Sequence, residues 1–86
     1  MKKINISLHC QKKIALLQRH NFFIENNSVV ETILEPDSVS NGKDNRKISQ
    51  KILDENHVLR VIYEENEKEI LIITIYPGRR KRHEEN

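Results

Sequence analysis

Within the first twenty residues the apolar positions change period. Ile4 and Ile6 alternate with Asn5 and Ser7, the period of two that marks a strand. Over 8–20, Cys10, Ile14 and Leu17 recur at i, i+4 and i+7. That single apolar stripe predicts a helix, with Lys12, Gln18 and Arg19 turned to water. Ser7 suits its N-cap and Asn21 its stop. Phe22-Phe23-Ile24 then reads as an apolar connector that plugs the core. A second helix is predicted from 26 or 27 to 34, with Val30, Ile33 and Leu34 as its buried face. Ser28 and Glu31 have the spacing of a capping box, and Asn27 competes for the same role. Pro36 ends this helix, because its ring pushes Glu35 out of the helical region.

From 37 to 45 the chain is rich in Ser, Asn, Gly and Asp and reads as a loop. Three strands are predicted after it. The first, over 46–53, alternates Ile48 and Ile52 with polar residues; the second covers 58–64. The third, over 69–77, lacks alternation, which suggests burial on both faces and a central position. The expected architecture is α+β: two N-terminal helices packed on a three- or four-stranded antiparallel sheet, with 4–7 as an optional edge strand. Residues 1–86 form a single domain, and 78–86 read as a charged C-terminal tail.

Composition narrows the function classes. A chain of 86 residues that is 36% hydrophobic and 33% charged is too polar for a membrane protein and too apolar for a disordered one. The longest apolar run, around 70–76, is far below the roughly 20 residues of a membrane-spanning helix. Lys2 and Lys3 are not followed by the apolar stretch of a signal peptide, so a cytoplasmic location is expected. A single cysteine removes any internal disulfide, and no His or Cys pair has metal-ligand spacing. No cofactor is expected.

The net charge of +2 conceals a segmental pattern. Residues 1–20 hold five bases and no acid, while 21–45 hold five acids and one base. Residues 46–60 have four bases against two acids, 61–77 one base against four acids, and the tail four bases followed by two acids. If the first helix, the 46–60 strand and the tail share one side, that face attracts phosphate. Charged exposed surfaces are also common in small domains with no such role.

The order of these signals resembles a known family. His9 opens the first helix, Ile24 through Pro36-Asp37 spans the second, and Leu59-Arg60-Val61-Ile62-Tyr63 and Thr74-Ile75-Tyr76-Pro77 precede a terminal arginine. Together they resemble a widespread group of small prokaryotic proteins described as a domain of unknown function, similar to the RelE and BrnT toxin–antitoxin ribonucleases. The resemblance runs from about His9 to Arg82. It departs at His83, where an aromatic residue is expected after the arginine. It implies a RelE/BrnT-like fold, RNA as substrate and a small antitoxin encoded nearby as partner. Fold alone does not establish activity, so the residues must carry the argument.

Metal-independent RNA cleavage needs proton transfer at the 2′-OH and 5′-oxygen and cations against the charge that develops on phosphorus. His9 is a candidate for proton transfer. A two-residue turn at Glu55-Asn56 would make Lys51 and Arg60 cross-strand neighbours, whose mutual repulsion a polyanion relieves. Tyr76 and Arg82 can orient a phosphate. Lys12, Lys13, Arg79 and Arg80 are candidates for binding nucleic acid. Each has a plainer reading: His9 as a capping or surface residue, Lys51 and Arg60 as exposed positions of a hairpin, Tyr63 as core, and 79–82 as a solubilising tail. His20 and His57 read as loop-end residues.

Strand register leaves the site open. With a turn on Asn66-Glu67, Tyr76 shares a face with Ile52 and Leu59; a register one residue different moves it to the face of Arg60. Three functions compete: a toxin-like metal-independent endoribonuclease acting on mRNA, a non-enzymatic RNA-binding or protein-interaction module, and a structural dimer.

Overall fold

A computed structural model describes residues 2–80. The elements in chain order are β1 (Lys3–Ile6), α1 (Leu8–Arg19), α2 (Asn26–Leu34), β2 (Ser38–Asn41), β3 (Lys47–Ile52), β4 (His57–Glu65) and β5 (Glu69–Arg79). The fold is α+β, with two helices and a five-stranded mixed sheet of order β1-β5-β4-β3-β2. It differs from the predicted antiparallel sheet in two ways. β1 pairs with β5 in parallel, and the segment read as a loop after Pro36 supplies the edge strand β2. β2 is four exposed residues whose only apolar member is Val39, so its alternation is too brief to stand out from the turn residues around it. β4, not β5, is the central strand. Among the described residues no helix is long and apolar enough to cross a membrane.

Local chemistry fixes the helix ends. The Ser7 hydroxyl accepts from the Cys10 N–H at 3.1 Å and caps α1. At the other end Asn21 takes φ 62°, while the Asn21 and Phe22 N–H groups donate to the Gln18 and Leu17 carbonyls. That pair of bonds is the Schellman arrangement, with Asn21 as its left-handed residue. α2 starts one turn before its predicted box. Glu25 is the N-cap without a side-chain bond, and Ser28 lies inside the helix, its carbonyl accepting from Thr32 Oγ1 at 2.8 Å. The helix is also rotated from its predicted setting: Val29 and Thr32 are buried, whereas Leu34 is 56% exposed.

Both helices cover one face of the sheet. Cys10, Ile14, Ile24 and Val29 pack against Leu59, Val61, Tyr63, Ile70, Ile72 and Ile75. Of the predicted plug only Ile24 is fully buried, with Phe22 half-buried beside it and Phe23 74% exposed. The opposite face has no helix over it and carries Ile48, Arg60, Ile62, Leu71 and Tyr76, all half-buried.

Charged side chains tie the strand ends together. Glu65 at the end of β4 accepts from Lys2 Nζ at 2.7 Å and Lys47 Nζ at 3.3 Å, and Arg46 pairs with Glu64 at 3.1 Å. Arg46 and Lys47, two of the four bases of the 46–60 segment, are therefore engaged by the acids of β4 and do not join α1 in one basic face.

Two outcomes test this packing. Ser49 is completely buried against the helices, and its hydroxyl has no hydrogen-bond partner among the described residues. Ser49→Ala is expected to raise stability by about 1 kcal/mol, because a buried polar group without a partner carries its desolvation cost alone. Thermal and urea unfolding measure it. The hydrogen bond from Lys2, helped by Lys47, holds the Glu65 carboxyl below its ordinary value. Its contribution is thus present above the unfolded pKa and lost as pH falls through the lower folded one. The melting-temperature gap between wild type and Glu65→Gln should be visible near neutral pH and should close in acid, as the carboxyl protonates below its ordinary value.

Candidate nucleic-acid interface

The register of β4 and β5 decides which side chains meet. From the turn, Glu65 pairs with Ile70 and Tyr63 with Ile72, but Ile62 pairs with Thr74. Ile73 is the extra residue of a β-bulge, and it reverses the face of every residue after it. Arg60 therefore lies directly opposite Tyr76, Val58 opposite Gly78 and His57 opposite Arg79. The bulge also explains the missing alternation in β5: Ile70 and Ile72 are buried before it and Ile75 after it.

The same bulge anchors α1. Ser7 N–H donates to the Ile72 carbonyl at 3.0 Å, and Ser7 Oγ donates to the Ile73 carbonyl at 2.9 Å. β1 has ended at that point, so the remainder of β5 has no strand on this side, and Pro77, which has no N–H to give, sits there. α1 packs along β5 and brings Lys13 Nζ to 5.9 Å from the centre of the Tyr76 ring. From β4, the Arg60 guanidinium carbon stands 5.8 Å from the same ring. Arg60 Nε donates to Gln50 Oε1 at 2.8 Å, which fixes its direction across the sheet. Its guanidinium lies over Gly78, and a Cβ at that position would collide with it. Two cations on separate elements thus face one tyrosine ring, each within cation–π range.

The remaining candidates divide. His9 is exposed on α1, one turn before Lys13 and on the same flank. Lys12 is exposed on the outer side of the helix. Lys51 does not pair with Arg60. The β3–β4 connection is one residue longer than a two-residue turn, because Asp54 Oδ1 accepts the Asn56 N–H at 2.7 Å in an Asx turn. Gln50 consequently sits opposite Arg60, and Lys51 sits opposite Leu59 on the other face, where its Nζ donates to the Glu35 carbonyl at 2.7 Å and caps α2. The predicted tail begins later than 78, since Gly78 and Arg79 are strand residues and the Arg80 N–H donates to the Asn56 carbonyl at 2.8 Å. Arg82 and His83 lie outside the described residues.

Cys10 lies in the core below this surface. Burial pushes its thiol above the ordinary value, and the nearby Lys13 charge only partly offsets that, so Cys10 is a packing residue. No three His, Cys, Asp or Glu side chains gather as a metal-ligand set among the described residues. A grouping that the sequence reading passed over is Asp54, His57 and Phe22. His57 Nδ1 is 3.0 Å from Asp54 Oδ1, and its ring meets Phe22 edge-on at 5.2 Å. The Asp-x-x-His spacing across a turn was its available signal. The chain matches no family model, no curated protein and no solved structure.

Gly78→Ala tests the geometry around Tyr76 without deleting a functional group. The methyl meets the movable end of Arg60, so the fold should survive while the guanidinium is displaced from Gln50 and Tyr76. Proton NMR of the Tyr76 ring and of the Arg60 Nε–H should report the shift, with melting temperature changed far less than by a core truncation.

Proposed function

We propose that this chain is a toxin-like, metal-independent endoribonuclease that engages single-stranded mRNA on the surface around Tyr76. The observation that carries the reading is the convergence of Arg60 and Lys13 on the Tyr76 ring, with His9 one helical turn away. Two cations from separate elements beside one ring offer charge-assisted donors to a phosphate. The order of motifs that resembles the RelE and BrnT ribonucleases, and with it a RelE/BrnT-like assignment of the fold, supports the same reading.

The chemistry follows from the residues. The 2′-oxygen of one nucleotide attacks the adjacent phosphorus and loses its proton. The 5′-oxygen leaves and gains one, giving a 2′,3′-cyclic phosphate and a 5′-hydroxyl. Arg60 and Lys13 oppose the negative charge that builds on the phosphorane oxygens. His9 relays the proton, and the Tyr76 hydroxyl orients the phosphate. Lys12 and Arg79 extend the attraction for the RNA backbone, and a small antitoxin encoded nearby would neutralise the protein by covering this surface.

Incubation of the purified protein with an unstructured RNA in excess chelator is the direct test. The expected products end in 2′,3′-cyclic phosphate, and His9→Ala or Arg60→Ala should each slow cleavage about 100-fold or more. Equal cleavage by wild type and His9→Ala removes His9 from the mechanism. Salt-sensitive association without any cleavage identifies a non-enzymatic RNA-binding module instead. Growth arrest on expression, relieved by the neighbouring gene, tests the toxin–antitoxin assignment.

A further inference from the structure

Beyond Tyr76, the end of the sheet combines aromatic rings with cations in a way that the phosphate-binding cluster does not use. Among the described residues Phe23 is the most exposed large apolar side chain, at 74%, although its neighbours Phe22 and Ile24 turn inward. It is not left out by a loose connector. The Schellman bonds at Asn21 and Phe22 and the burial of Ile24 on either side of it hold the backbone of Phe23 in place. Beside it, Asn21, Phe22, Phe23, Leu53, Asp54 and His57 line an open depression of about 310 Å³. The His57 ring cannot turn freely there, because Asp54 holds Nδ1 and Phe22 abuts it edge-on. Arg79 is the direct cross-strand neighbour of His57, and Arg19 ends α1 three residues before Phe22.

We infer that this depression is a stacking site for an unpaired nucleobase of RNA, with Phe23 and His57 as its aromatic contacts and Arg79 on the adjoining phosphate. The inference rests on the RNA reading of the Tyr76 cluster and carries the strand from that face around the end of β5 to the side of His57 and Arg79. Aromatic rings interleaved with arginines are the means by which proteins hold single strands, since every base has a face to stack and every nucleotide a charge. A purely apolar docking surface would not set a hydrogen-bonded histidine, with an arginine as its cross-strand neighbour, in the same depression as an exposed phenylalanine. The Asp54 carboxylate and the Asn21 amide at the rim offer partners to the donors on a base edge.

The chain contains no tryptophan, so Phe23→Trp provides a single indole reporter at the site. The ligand is an unstructured 2′-O-methyl oligonucleotide, which lacks the attacking hydroxyl and stays intact. Indole fluorescence should be quenched by this oligonucleotide and not by inorganic polyphosphate at equal phosphate concentration. In parallel, anisotropy of a labelled oligonucleotide should show Phe23→Ala weakening binding about 5- to 100-fold, with an unchanged melting temperature. Wild-type binding that Phe23→Ala leaves intact, or quenching equal with polyphosphate, overturns the stacking site while the RNA reading stands. A change of self-association in Phe23→Ala with RNA affinity unaltered overturns it in favour of a protein contact. Absence of any oligonucleotide binding by the wild type overturns both readings.

Discussion

The molecule turns on one extra residue. Ile73 is inserted into β5, and Ser7 holds it there by donating to its carbonyl while capping α1 with the same oxygen. Without the insertion, the pairing that starts at Glu65 and Ile70 would continue unbroken and set Tyr76 opposite Leu59, beneath the helices. Ile75, now wholly buried, would turn outward in its place. Exchanging a buried isoleucine for a tyrosine and a threonine on the core face is the penalty that keeps the bulge in position. The bulge and the start of α1 are therefore one feature. The hydroxyl that begins the helix also fixes the strand register, and Lys13 and Tyr76 meet as a consequence of both.

Charge is distributed by the same economy. Lys51 caps α2, Lys2 and Lys47 share Glu65, and Arg46 holds Glu64. Each of these bases has a structural partner at the far edge or base of the sheet. Lys13 of α1 and Arg60 of β4 meet instead at Tyr76, where Arg60 is aimed by Gln50 and Lys13 by the helix. A near-neutral total thus conceals two populations, and only their pairing in three dimensions separates them.

The parts of this fold visible in the sequence were those with a local cause. The α1 stripe and its Ser7 and Asn21 ends, the stop at Pro36 and the long β4 and β5 segments follow from periodicity, capping and turn chemistry. What the sequence hides depends mostly on contacts far apart in the chain, the local Asx turn at Asp54 excepted. β2 needs β3 to be a strand at all. The Lys51–Arg60 pairing failed because an Asx turn at Asp54 added one residue to the connection. In the sequence the bulge shows only as lost alternation in β5, a pattern that also fits burial on both faces, whereas it marks a switch from one face to the other. His57 and Asp54 lay in plain view as a turn, but their value as a fixed aromatic edge appears only once Phe22 arrives from the other end of α1.

Small size then shapes what chemistry the fold can support. Two helices use up one face of the sheet, and among the described residues the candidate groups are held at the surface by their neighbours. Along β5 this is arranged in sequence: Tyr76 between Lys13 and Arg60, then Gly78 cleared for the guanidinium, then Arg79 beside His57. At about 3.3 Å per residue the strand separates Tyr76 from Arg79 by roughly 10 Å. Tyr76 and Gly78 share the open face with Arg60, whereas Arg79 and His57 point to the face of the helices. In the RNA reading a single nucleotide gains only one of these contacts, while a strand that passes around the end of β5 gains both sets. In that reading, discrimination in favour of a polymer comes from the spacing of contacts held by a rigid strand.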